Sequence, residues 1–150
     1  MSRLILVIGL ILMSLSGIGQ ANSADVQSIN DSWQNYYEND LIKIEVRKQS
    51  CNFPSDGVHQ EFLLFRYMNK TSNTITVDLH NDRYYNGNCT TCGSNEYDYT
   101  FSLKPNSMIT SECDLQAPGY KSVFVKQLNF KSSSVLTSIS LENIKVTEDK

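Results

Sequence analysis

Four cysteines and two histidines are the side chains best suited to chemistry in this chain, and their spacing limits what that chemistry is. Cys89-Thr-Thr-Cys92 has the spacing of a metal knuckle, but a four-cysteine zinc centre carries two knuckles and only one is present. Thiol oxidoreductases use the same spacing with the first cysteine at a helix N-terminus, where the dipole lowers its pKa. Here Gly93-Ser-Asn-Glu-Tyr-Asp-Tyr99 leads into a strand pattern instead. His59 and His80 both read as exposed strand residues. The sequence contains no His-Glu-x-x-His helix, Gly-x-Ser-x-Gly elbow or phosphate-cradling glycine loop. Glycoside hydrolysis needs two carboxylates at a set separation, and 16 acidic residues offer too many pairs to select one. Asp78, His80 and Asp82 share a strand face within Asp78–Glu96, but the order of oxygen ligands there matches no calcium-loop pattern, and the stretch reads as a solvated loop stapled by cysteine. No catalytic residue, metal ligand or cofactor site is assigned. Tyr84, Tyr85, Asn86 and Asn88 are candidates for a contact surface, since tyrosine gives broad amphipathic area at low entropy cost.

Which chemistry the cysteines perform depends on compartment. Met1-Ser-Arg3 is a short positive leader, Leu4 to Leu15 is apolar, and small residues follow at Ser16, Gly17, Gly19, Ala21 and Ser23. That order predicts a signal peptide over residues 1–23, cut after Ala21 or Ser23, ahead of one domain over 24–150. The apolar run is shorter than the roughly 20 residues of a membrane span. No second run is long enough, so no span is expected after cleavage. The reading is an exported protein, periplasmic or extracellular. Without Arg3 the balance is 12 basic against 16 acidic residues, a net charge of −4. Nucleic-acid binders carry a basic stripe, so a nucleic-acid partner is excluded.

The positioning elements are strands. Ile42, Ile44 and Val46 alternate with Lys43, Glu45 and Arg47, as in a half-buried strand. Phe62-Leu63-Leu64-Phe65, within His59–Asn69, is apolar on both parities, as in a central strand covered on both faces. Further runs cover Ile75–Leu79, Tyr97–Leu103, Met108–Cys113, Ser122–Phe130 and Val135–Val146, with a parity slip at Glu142-Asn143 that predicts a bulge. Between Asp25 and Asp40 a helical spacing competes with a hairpin. The hairpin Ser32–Tyr37, turn Glu38–Asp40, Leu41–Lys48 is favoured because aromatic residues prefer strands. Seven or eight strands without long helical patterns predict an all-β, antiparallel, immunoglobulin-like β-sandwich.

Strand direction then places the sulfurs. With consecutive strands antiparallel, Cys51, the long loop Asp82–Asn95 with Cys89 and Cys92, and Cys113 all fall at one end. In an exported chain, disulfides are the expected use. Cys89–Cys92 with Cys51–Cys113 is the favoured pairing, although four cysteines allow three connectivities. Triplets beginning at Asn30, Asn69 and Asn88 match the glycosylation acceptor pattern.

The stretches Cys51-Asn-Phe-Pro-Ser-Asp-Gly-Val-His-Gln60, Leu63-Leu-Phe-Arg-Tyr-Met-Asn-Lys-Thr71, Tyr84-Tyr-Asn-Gly-Asn-Cys-Thr-Thr-Cys92 and Leu103-Lys-Pro-Asn106 carry a resemblance over most of the mature chain. The chain resembles a group of small exported bacterial β-sandwich proteins with no assigned activity. The shared features are turns and cysteines, so the resemblance implies fold and export and carries over no catalytic residue. The function expected is a disulfide-stapled binding or envelope-associated accessory module. Its partner, an unidentified protein or glycan, would meet the cysteine-bearing end loops. The alternatives are a small exported hydrolase or thiol redox protein, or a zinc-stabilised structural module.

Overall fold

In the computed structural model, which describes residues 22–149, every element longer than one turn is a β-strand. The strands are β1 Asn22–Asp25, β2 Gln34–Glu38, β3 Ile42–Phe53, β4 Val58–Asn69, β5 Ile75–Tyr85, β6 Asn88–Cys89, β7 Asp98–Leu103, β8 Met108–Thr110, β9 Ser122–Gln127 and β10 Leu136–Glu148. The signal peptide expected over residues 1–23 lies outside the described residues except for Asn22 and Ser23, which belong to β1. Among the described residues, no helix is long and apolar enough to cross a membrane.

All pairings are antiparallel and form two sheets. In the first, β5 has β10 on one side, with β1 beyond it, and β7 and β6 on the other. The second runs β2-β3-β4, and β8 and β9 share the far edge of β4. The ambiguous N-terminal stretch resolves as a hairpin, β2 against β3, after a single 3-10 turn at Val26–Ser28. Asn39 closes it by accepting the Leu41 and Ile42 amides at 2.9 Å through its side chain.

β8 and β9 act as one edge strand with an insertion. Ser111 N–H donates to Phe65 O, and Phe65 N–H donates to Lys121 O, so the ladder closes on both sides of the loop at 112–120. The run predicted to reach Cys113 therefore stops at Thr110, because Cys113 is carried out on that loop.

Burial follows the pleat. Ile42, Ile44, Val46, Leu63, Phe65, Tyr67, Ile75, Val77, Leu79, Ile139 and Leu141 form the core between the sheets. The opposite parity of β4 is also covered: Phe62 and Leu64 lie on the outer side of their sheet, in a second cluster with Cys51, Trp33, Phe53 and Phe124. Two half-buried phenols bond across the sheets. Tyr36 of β2 donates to Ile139 O of β10 at 3.2 Å, and Tyr85 of β5 donates to Phe124 O of β9 at 2.6 Å. Burial favours their neutral, donating form and pushes the Tyr85 pKa up to about 12. The parity slip at Glu142 is a bulge, with a register shift between Glu142 and Lys145 and Asn143 at φ 53°.

The largest departure from the sequence reading is β5. Expected to end at Leu79, it continues to Tyr85, so most of the loop expected over Asp82–Asn95 is strand and tight turn. Asn81 takes an inward position, fully buried, and donates its amide to Gly119 O at 3.0 Å. A polar residue on the apolar parity hid the continuation. Asn86 and Gly87, at φ 50° and 81°, then form the two-residue turn of a hairpin with β6. Paired positive φ values suit Asn-Gly, because asparagine tolerates and glycine freely adopts the left-handed region.

Candidate functional site

The pleat turns Asp78, His80 and Asp82 outward on β5, and sheet register completes their surroundings. Asp98 of β7 stands opposite His80 on one side and Glu142 of β10 on the other. His80 Nδ1 lies 2.6 Å from Asp98 Oδ1, and Nε2 lies 3.0 Å from Asp82 Oδ1. Ionised carboxylates only accept, so the ring fills both contacts by carrying a proton on each nitrogen. Burial disfavours that charge, but the hydrogen bonds and charges of Asp98 and Asp82 outweigh it and raise the His80 pKa above its ordinary value. An open cavity of about 460 Å³ lies over the group, lined also by Gly93, Asn95, Glu142 and Asn143. The expectation of an exposed His80 is thus corrected: its side chain is 13% exposed and held between two acids.

The Cys89–Cys92 loop borders this site. Cys89 and Cys92 are joined, with Cα atoms 5.8 Å apart. Between them, buried Thr91 accepts the Arg83 amide at 2.8 Å and donates to Asn81 O at 2.9 Å through one hydroxyl. That hydroxyl occupies the place of a strand partner on the edge of β5, and the bridge clamps the residue that provides it. Cys92 N–H donates to Cys89 Sγ at 3.1 Å, and Gly93 follows at φ 74°. Cys89 Sγ lies 3.9 Å from Asp82 Oδ1.

Cys51 is joined to Cys113, with Cα atoms 5.6 Å apart, and ties β3 to the insertion. β5 starts level with the start of β3, where Asn69 donates to Leu103 O at 3.2 Å, and ends level with Phe124 beside Phe62. Both bridges therefore lie toward one end of the two sheets. They stand on opposite outer faces, however, Cys51 with Phe62 and Leu64 and Cys89 with Asp82. The four sulfurs do not converge on one metal position. Among the described residues, the metal-capable group is Asp82, Cys89 and Cys92.

The tyrosine and asparagine candidates are mostly structural. Tyr85 packs against the core and stacks on Phe124 with ring centroids 6.4 Å apart. Tyr84 Oη lies 3.7 Å from Cys92 Sγ. Asn86 is locked to the neighbouring loop, donating to Ser133 O at 3.0 Å and accepting the Val135 amide at 3.2 Å. Asn88 is exposed and bonds only locally, to Asn86 O. Asn69 is 5% exposed, and its amide nitrogen serves three carbonyls, Asn73, Leu103 and Lys104, so this acceptor triplet is closed to a glycan.

His59 is also half-buried rather than exposed, and its Nε2 lies 2.9 Å from Ser50 Oγ. Among the described residues, no carboxylate bonds its other ring nitrogen, so the pair lacks the orienting third group of a serine hydrolase.

Sequence reasoning missed an apolar patch and a charged patch on the second sheet. Leu115 is 40% exposed next to Cys113, and with Phe53, Asp56, Asp114 and Gln116 it lines an open cavity of about 380 Å³. Phe130, 61% exposed, follows Asn129, whose amide donates to Gly57 O at 3.2 Å. Both loops therefore meet the Pro54–Gly57 turn. Further along β3 and β4, the Arg66 guanidinium bonds the buried Glu45 carboxylate, and Arg66 and Arg47 lie 4.5 and 4.8 Å from the Trp33 ring centroid. Burial raises the Glu45 pKa, but Lys43 and Arg66 more than offset it and leave it below the ordinary value. The signal available in the sequence was the alternation Lys43-x-Glu45-x-Arg47, whose partners only register reveals.

No protein-family model, curated protein or solved structure matches the chain. The class that fold and site define is an all-β protein of two antiparallel sheets with two disulfides.

Proposed function

We propose that this protein is an exported, disulfide-stapled accessory module that binds a protein or glycan partner at the end of the fold bearing Cys51–Cys113. The observation that carries the reading is that bridge. It closes a separation of 62 residues and secures the loop that exposes Leu115 beside the Pro54–Gly57 turn. Long-range disulfides persist in oxidising compartments, which supports export through the leader at residues 1–23. Cleavage after Ala21 keeps all four residues of β1, whereas cleavage after Ser23 removes two. The fold shares with immunoglobulin-like sandwiches its two antiparallel sheets, here in the order β7-β5-β10-β1 over β2-β3-β4-β8/β9. The likeness to small exported bacterial β-sandwich proteins supports the same compartment.

Contact through this end is favoured over the Tyr84–Asn88 hairpin because Leu115 and Phe130 are exposed, whereas Tyr85 and Asn86 are occupied internally. The test is site-specific photo-crosslinking in the native compartment, with the reactive group at position 115 or 130 and a control at position 147 on β10. The reading expects one discrete adduct from the first two positions and none from the third. Equal labelling at all three, or none, would overturn it.

A further inference from the structure

We propose that the Cys89–Cys92 bridge caps a redox-gated zinc site, in which the reduced pair and the Asp82 carboxylate hold one Zn²⁺. Their ligand atoms already lie within 4.8 Å of one another. Tetrahedral zinc with a Zn–S bond of about 2.3 Å and a Zn–O bond of about 2.0 Å sets its sulfur and oxygen ligands about 3.5 Å apart. Cys89 Sγ and Asp82 Oδ1 stand at 3.9 Å, so a shift of a few tenths of an ångström completes that edge.

The loop also has the backbone of a metal knuckle. Two residues separate the cysteines, the Cys92 amide points at Cys89 Sγ at 3.1 Å, and Gly93 makes the left-handed exit at φ 74°. Thr91 anchors the backbone of the loop to β5, which keeps the loop beside the carboxylate while the two sulfurs part to ligand distance on reduction. His80 Nε2 lies 3.0 Å from Asp82 Oδ1, the same oxygen that faces Cys89 Sγ, and orients the carboxylate by the kind of hydrogen bond that ligating carboxylates use. Three protein ligands leave the fourth position to water, on the side open to the cavity.

The gating step balances with a dithiol reductant. Its thiolate attacks the exposed Cys92 sulfur, the S–S bond breaks, and Cys89 leaves as a thiolate that receives the Cys92 N–H. The second reductant thiol resolves the mixed disulfide. The reductant departs as its own disulfide, and Cys89 and Cys92 carry the two electrons and two protons. Zinc binding then releases both protons to solvent. The second bridge offers no equivalent: among the described residues no third ligand-bearing side chain joins Cys51 and Cys113, and Cys51 packs among aromatic and aliphatic side chains.

The test treats the protein with a dithiol, removes the reductant anaerobically, and titrates ZnCl₂ against a chromophoric chelator. Mass spectrometry of alkylated peptides follows. The expected result is one zinc per reduced chain and none per oxidised chain, with zinc-dependent protection of Cys89 and Cys92 from alkylation and no effect of zinc on the labelling of Cys51 and Cys113. Asp82→Asn should weaken binding by at least the roughly 10–100-fold that losing an outer-shell partner costs. Cys89→Ser/Cys92→Ser should abolish it. No selective protection of this pair, whether or not the reduced chain stays folded, would overturn the proposal. So would zinc binding unchanged by Asp82→Asn.

Discussion

The two disulfides should contribute very unequally to stability. Cys51–Cys113 closes a separation of 62 residues and Cys89–Cys92 one of 3. In the chain-entropy account the first restricts the unfolded chain by about 4 kcal/mol and the second by about 2 kcal/mol. Domains of this kind are held by about 5–15 kcal/mol, so the longer bridge supplies a quarter or more of the total. Local structure widens the gap. Cys51 is fully buried against Phe62 and Leu64, so truncation there also leaves a void, whereas Cys92 is exposed. The perturbation is a pair of double variants, Cys51→Ala/Cys113→Ala and Cys89→Ala/Cys92→Ala, each compared with wild type by urea unfolding at pH 7 and by thermal melting. The first should lose at least about 4 kcal/mol, a fall in Tm of roughly 12–24 °C, and the second about half as much or less. Equal losses, or a greater loss from the short bridge, would refute the reasoning that loop length and burial set the ranking.

Three further outcomes follow from individual contacts. Thr91→Val keeps the shape but removes the hydroxyl shared by Asn81 O and Arg83 N–H. It should cost about 1–3 kcal/mol and speed hydrogen exchange at the Arg83 amide, measured by NMR. Leu64→Ala should cost about 2–5 kcal/mol despite lying on the outer side of its sheet, and a loss under 1 kcal/mol would show that the second cluster does not cover it. Because the folded state raises the His80 pKa, its contribution is complete below the unfolded value of about 6.5 and is lost as pH rises through the folded value. Wild type should therefore lose stability relative to His80→Gln as the pH rises above the ordinary histidine value of about 6.5, as read by urea midpoints. A parallel pH dependence in the two proteins would contradict that linkage.

How much of this was legible in the sequence depends on whether a feature is periodic or relational. Alternation in Ile42–Arg47 and the double parity of Phe62–Phe65 revealed a half-buried strand and one covered on both faces, because side-chain period is a local property. The bulge at Glu142 was legible for the same reason. Asn81 defeated the pattern, since its burial depends on a carbonyl at Gly119 far along the chain. The Asn86-Gly87 turn was readable as a hairpin signal, and reading Asp82–Asn95 as one long loop overlooked it. The His80 site was half visible: Asp78, His80 and Asp82 share a face by parity, but Asp98 and Glu142 join them only through the register of β7 and β10. The insertion that splits β8 from β9 has no periodic signature. It is defined by which amides resume pairing with Phe65.

Non-reducing peptide mapping with N-terminal sequencing, on protein recovered from its native compartment, tests the central claim most directly. The account predicts a chain beginning near residue 22 or 24, one linked peptide pair joining Cys51 to Cys113, and one internal bridge joining Cys89 to Cys92. An intact Met1, four free thiols, or a crossed pairing such as Cys51–Cys89 would contradict it.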